Sequence, residues 1–306
     1  MTRKDLEAEP LVTAPVDRAV FDPDHQMPLP FKAAQDYARV VMSWAGDIRP
    51  QDMLVQRDVA YGPHRLHRYN VFSPPGAANA PVLMFWHGGG WTNGYRDYVS
   101  FMARHVVSLG YVLVAPSYRL ASECPLPAAY EDSLSALRHV ADNIACWGGA
   151  GDQLFLAGHS AGAHLAALVA LRVADRAAAG VPGPSVRACL PISGIMDLYH
   201  PSPAPGSLEE RVYTMVLADP AQDAVMSPLC WTTGNRVPFF LTCGEDDSER
   251  VMRSNQRMLE LLKLQHASAS LSVMPAHDHF QTHTSLRDPQ HPWYQRLTQL
   301  VKESLA

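Results

Sequence analysis

The first regular pattern in the chain lies at residues 31–45. Ala34, Tyr37, Ala38, Val41, Met42 and Ala45 recur there at helical spacing and leave one apolar face. Gly46 is placed to stop that helix. From about 53 to 72 the period shortens: 54–59 and 66–72 read as strands, and Ser73-Pro74-Pro75-Gly76 ends the pair. Beyond it, short continuous apolar runs alternate with helical patterns. The run at 82–86 is expected as a strand buried on both faces, and those at 111–115, 154–157, 188–192, 239–242 and 271–274 as further strands. Helices are predicted over 97–109, from Pro127 through Leu134, Leu137, Ala141 and Ile144, over 161–176, over 249–264, and through Trp293, Leu297, Leu300 and Val301. This alternation predicts the α/β class, with a mainly parallel sheet and helices on both faces.

Two segments break the rhythm. Residues 1 to about 30 are rich in proline and acid and carry no periodicity, so they read as a surface arm. Residues 200–235 interrupt the strand–helix alternation, and Ser207 and Glu210 have the spacing of a capping box that opens a short helix. The expected organisation is an arm and cap helix over 1–50 and a catalytic domain over 51–306, with 200–235 as a cap insertion.

Composition narrows the function classes. The chain has 306 residues, is 47% hydrophobic, and so can bury a sizeable core as one domain. Its net charge is -5 with both signs scattered, which argues against a nucleic-acid partner. No apolar run approaches the ~18 residues of a membrane helix, and the first ten residues, MTRKDLEAEP, lack the apolar centre of a signal peptide. A cytoplasmic protein is expected, without a membrane partner. Cys124, Cys146, Cys189, Cys230 and Cys243 are odd in number and form no C-x-x-C pair, so they are expected as buried free thiols.

The densest chemical signal is Gly158-His159-Ser160-Ala161-Gly162, a G-x-S-x-G string between an apolar strand and an alanine-rich helix. A turn this sharp raises the serine hydroxyl to the N-terminus of the helix, where developing negative charge is favoured. Ser160 is therefore the expected nucleophile. A second signal, His87-Gly88-Gly89-Gly90-Trp91, follows the 82–86 strand. Glycines there allow close backbone approach, and the N–H groups of Gly88 or Gly89, with that of Ala161, are the expected oxyanion donors. The loop lacks the G-x-x-x-x-G-K-[ST] pattern of a phosphate cradle. His87 reads as the histidine that fixes this loop. Trp91, Gly90 and His159 are expected to line the substrate pocket.

An acid and a base should follow late strands in the order Ser, Asp or Glu, His. Glu245, Asp246 and Asp247 follow the 239–242 strand, and Asp247 is the preferred acid. His277, His279 and His283 follow the last strand, and His279 is the preferred base, with His283 on a helix face. Their H-x-H-x-x-x-H spacing could also hold zinc, but the serine turn, glycine loop and late acid together favour a triad. No metal and no cofactor is expected; the partner is a small-molecule substrate, and a homodimer stays open.

These segments resemble the α/β-hydrolase superfamily, near the hormone-sensitive-lipase-like esterases with an HGGG loop. Within it, GHSAGAHL at 158–165, ISGIMDL at 192–198, Ser227-Pro228-Leu229, GEDDS at 244–248 and DHF at 278–280 look most like the arylformamidase (kynurenine formamidase) branch. The likeness runs from about residue 55 to the C-terminus. It implies Ser160 as nucleophile, Asp247 as acid and His279 as base. It further implies hydrolysis of N-formyl-L-kynurenine to formate and kynurenine in tryptophan breakdown, with a carboxylesterase of short-chain or aryl esters as the alternative. A third reading is a non-catalytic binding scaffold on the same fold. Many members of that branch carry a bulkier residue where Gly90 stands. A formyl group is tiny, so selectivity would fall to the leaving-group side, where Trp91, Tyr199, Tyr213 and Trp231 are candidates to stack on an aryl ring. Simple packing is the alternative for the last three.

Overall fold

The computed structural model describes residues 26–46, 48 and 50–305. Residues 1–25, most of the expected arm, lie outside the described residues.

Eight strands form one sheet in the order β1-β2-β4-β3-β5-β6-β7-β8. They are β1 (Leu54–Ala60), β2 (Arg68–Ser73), β3 (Ala80–Trp86), β4 (Val112–Pro116), β5 (Gly149–His159), β6 (Val186–Ile192), β7 (Phe239–Asp246) and β8 (Ala269–Asp278). The β1–β2 and β2–β4 pairs are antiparallel, and every later pair is parallel. The continuous apolar run of β3 has its reason here: Val82, Leu83, Met84, Phe85 and Trp86 are all buried at the centre of the sheet.

The α-helices are α1 (Lys32–Ala45), α2 (Ala103–Ser108), α3 (Ala128–Asn143), α4 (Ala161–Leu171), α5 (Val173–Ala178), α6 (Leu208–Arg211), α7 (Glu249–Lys263), α8 (Gln281–Thr284) and α9 (Pro292–Leu305). Helix α4 packs on β3, β5 and β6, and α7 on β7 and β8. Every residue of α4 is buried, which explains its alanine-rich, nearly all-apolar sequence. Helix α1 buries Ala34, Tyr37 and Val41, three positions of the face its spacing marks out.

The expected helix over 161–176 is two helices. Arg172 leaves helical geometry between α4 and α5 and lays its guanidinium over the Tyr130 and Trp231 rings. Arg176 turns back to donate to the carbonyls of Val169 and Ala170, so a cation caps the negative end of α4. The segment expected as helix over 97–109 starts as a buried 3-10 turn, Arg96–Met102, because Asp97 is held by Arg57 and Asn70. Ser207 caps α6 by accepting from the Glu210 N–H at 3.1 Å, while the Glu210 carboxylate reaches Gly206 N rather than Ser207 N. Cys146 and Cys230 are exposed rather than buried as expected, and Cys189 and Cys243 are buried. Among the described residues no helix is long and apolar enough to cross a membrane.

Candidate active site

Four strands deliver the site at their C-terminal ends. Strand β5 runs into Ser160, whose φ of 55° and ψ of -118° place a non-glycine residue in a strained conformation between strand and helix. Crowding dictates the neighbours. A Cβ on Gly162 would collide with the carbonyl oxygens of Trp86 and His87, so only glycine lets α4 start this close to β3. Strand β7 ends beside Asp247, and β8 leads into His279.

The three side chains form one hydrogen-bonded row. His279 Nε2 lies 2.9 Å from Ser160 Oγ, and His279 Nδ1 lies 2.8 Å from Asp247 Oδ1. The Asp247 side chain is fully buried and also accepts from the N–H of Ser248 at 3.0 Å and of Gly244 at 3.4 Å. Burial alone would raise its carboxyl, but the hydrogen bond and charge of His279, with smaller help from Ser193 and Gly244, hold it below the ordinary value. The neighbouring acids stand apart. Asp246 is exposed at the end of β7, and Glu245 accepts from Ala276 N at 2.9 Å.

The three late histidines separate as well. His277 is half-buried and bonds Pro275 O, while His283 is buried with its ring stacked on Phe85. Among the described residues no three His, Cys, Asp or Glu groups are placed to hold a metal ion.

The glycine loop after β3 lies beside Ser160. Among the described residues, the N–H groups of Gly88, Gly89 and Ala161 have no protein acceptor. His87 locks the loop: it is fully buried, stacks on Tyr118 at 4.3 Å, and its Nδ1 bonds Gly88 O at 2.8 Å. A carbonyl only accepts, so Nδ1 carries the proton. Burial lowers this ring to about 4, partly offset by that hydrogen bond, so it is neutral at ordinary pH.

A cavity of about 220 Å³ opens over Ser160 and His279, walled by Gly89, Gly90, Trp91, Tyr37, His159 and Phe280 among others. Helix α1 and the stretch from Leu208 to Val216 contribute to its wall. A larger groove of about 1010 Å³, lined by Arg172, Arg176, Trp231 and Arg236, contains none of Ser160, Asp247 and His279. Trp91 is buried, with Nε1 donating to His164 Nδ1 at 3.2 Å. The other aromatic candidates do not reach the cavity. Tyr199 is 59% exposed, Tyr213 is committed to Asp223, and Trp231 lines the larger groove. The sequence reading missed Tyr37 in this role. It was counted as an apolar face position, and its unspent phenol hydroxyl was the one available signal.

A Ser–His–Asp row at the C-terminal edge of a mainly parallel sheet, with a glycine loop beside the serine, is the arrangement of the α/β-hydrolase class. The chain belongs to the alpha/beta hydrolase fold family, whose profile matches residues 83–281. It is 33% identical over 205 residues to Esterase LipQ of Mycobacterium tuberculosis, covering 62% of this chain and 48% of that one. It is 37% identical over 131 residues to Carboxylesterase NlhH of the same organism, covering 42% of this chain and 41% of that one. The matched segment is thus less than half the length of either relative. In structure it is similar to Esterase B from Lactobacillus rhamnosis, with a TM-score of 0.74 at 22% identity over 89% of this chain and 93% of that one.

Proposed function

We propose that this chain is a serine hydrolase acting as a carboxylesterase on small esters. The observation that carries the reading is the unbroken row from Ser160 Oγ through His279 to the buried Asp247 carboxylate, at the wall of a largely apolar cavity. The names of the esterase relatives support the ester class.

The row dictates the steps. His279 Nδ1 is held protonated by Asp247, so Nε2 is bare and accepts the Ser160 proton as Oγ attacks the ester carbonyl. The carbonyl oxygen takes the electron pair and becomes an oxyanion facing the N–H groups of Gly88, Gly89 and Ala161. The tetrahedral species collapses, His279 gives its proton to the leaving alkoxide, and the acyl group stays on Ser160. Water then gives a proton to Nε2 and attacks the acyl-enzyme, which frees the acid and restores the serine. Helix α1 and the 200–235 segment act as the cap that shapes the substrate side.

Gly88 gives a direct check on the oxyanion loop. A Cβ there would lie 2.8 Å from His159 Nδ1 and 3.3 Å from Ser160 Cβ, so the loop must retreat from the serine. Gly88→Ala is expected to lower kcat by roughly 10²-fold, the scale of one lost oxyanion donor. An unchanged kcat in the folded variant would remove Gly88 from the hole.

The formamide reading keeps one observation in its favour, the segments GHSAGAHL and GEDDS described above. It is separated from the ester reading by assaying p-nitrophenyl acetate and N-formyl-L-kynurenine side by side, with Ser160→Ala as blank. The ester is expected to give the higher kcat/KM. A formamide advantage of ~100-fold, about 2.7 kcal/mol in the transition state, would reverse the assignment to an arylformamidase.

A further inference from the structure

His159 and Tyr37 carry an arrangement that substrate contact does not explain. His159 is fully buried, and its Nε2 lies 2.8 Å from the main-chain oxygen of His279. That oxygen can only accept, so Nε2 is protonated. Burial, and then the facing His283 and His279 rings, hold His159 well below the ordinary imidazole value, which leaves Nδ1 bare. The Tyr37 hydroxyl of α1 lies 3.4 Å from Nδ1. The same hydroxyl lies 2.8 Å from Nδ1 of the buried His283.

One proton arrangement satisfies more of these groups than any other. His283 Nε2 has no partner among the described residues. Were the His283 proton on Nε2, a buried N–H would be orphaned and Tyr37 would turn its proton to His283, leaving His159 Nδ1 empty. With the proton on His283 Nδ1, the chain runs one way: His283 N–H to Tyr37 oxygen, Tyr37 O–H to His159 Nδ1, His159 N–H to His279 oxygen. Ring packing fixes the chain in place. His159 stacks on His283 at 5.0 Å, and Tyr37 packs on Phe280 at 5.1 Å. The Gly88 face of the oxyanion loop abuts the same His159 ring.

We propose that Tyr37 and His159 are positioning residues through which helix α1 holds the backbone of His279, and so the distance from its ring to Ser160. This rests on the serine-hydrolase reading above. It assigns α1 a part in catalysis beyond walling the cavity.

Fluorophosphonate labelling of Ser160 tests it without a known natural substrate, because the probe reads base activation of the serine directly. Rates are compared for the native protein, Tyr37→Phe, His159→Gln and His159→Asn, with Ser160→Ala as blank and thermal melts to verify folding. Glutamine places its amide N–H where His Nε2 lies, whereas asparagine places it near Nδ1 and cannot reach His279 oxygen. Tyr37→Phe keeps the ring packing and is expected to slow labelling about fivefold, the worth of one hydrogen bond. His159→Asn is expected to slow it by up to ~10²-fold, the cost of an ångström-scale misplacement, and His159→Gln to recover most of that loss. In p-nitrophenyl acetate turnover the same order should appear in kcat with KM little changed. Equal rates for Gln and Asn, or a native rate in Tyr37→Phe, would overturn the proposal while leaving the hydrolase reading intact. A change confined to KM would make Tyr37 a substrate contact instead. A native protein that does not label at Ser160 would sink both.

Discussion

Asp247→Asn is expected to lower kcat by on the order of 10⁴ with little change in KM, the scale seen when a triad aspartate becomes an amide. The carboxylate accepts from His279 Nδ1 at 2.8 Å and from two backbone N–H groups, with no exposure to solvent. An amide in its place can offer an N–H to His279, which moves the imidazole proton to Nε2. That atom faces Ser160 Oγ at 2.9 Å and could then no longer take the serine proton. Asp246→Asn should be nearly silent, because Asp246 is exposed and outside the row. Steady-state kinetics on p-nitrophenyl acetate for both variants, with matched melting curves, decide the matter. Damage from Asp246→Asn and none from Asp247→Asn would displace Asp247 as the acid.

The fold is expected to lose stability steeply in mild acid, starting near pH 6.5. His87, His159, His164 and His283 are all buried and held neutral, chiefly by burial. His87 and His164 are lowered to about 4, and His283 to about 3, from an ordinary value of 6.5. Between those values and 6.5 the unfolded chain binds protons that the folded chain refuses. Stability is therefore full above pH 6.5 and falls as the pH drops toward 4. Each such ring removes about 1 kcal/mol between pH 6.5 and 5.5, so together they remove roughly 4 kcal/mol from a typical total of ~5–15. In two of the four, both ring nitrogens are already engaged: His164 Nε2 bonds Met226 O while Nδ1 receives the Trp91 N–H, and His159 Nε2 bonds His279 O while Nδ1 faces the Tyr37 hydroxyl. Urea unfolding at pH 7.5, 6.5 and 5.5 checks this. A midpoint that does not move between 6.5 and 5.5 would show that these rings are solvated or already charged.

Two of these effects depend on histidines that look alike in sequence, and the contrast marks what a linear reading can reach. Ser160 was legible because its signal is local: an apolar strand, a five-residue turn and an alanine-rich helix fix it by sterics among near neighbours. The glycine loop after β3 was legible for the same reason. The break at Arg172 was not, because no glycine or proline marks it. It follows from rings supplied by Tyr130 and Trp231, far along the chain.

What the sequence by itself determined is the α/β order of elements, the central strand buried on both faces, the strained serine turn, and the short lists from which acid and base must come. Periodicity and turn sterics act over a few residues, so a linear string contains them. Only the tertiary structure decided which member of each list meets the serine. Ser160 and His279 are 119 residues apart and Asp247 and His279 are 32 apart, and β5, β6, β7 and β8 must be laid in order in one sheet before they touch. The same holds for Tyr37, 122 residues from His159. Its apolar ring set its place on the helix face, but a hydroxyl's partner depends on what the fold brings within hydrogen-bond reach, and short-range pattern does not encode that.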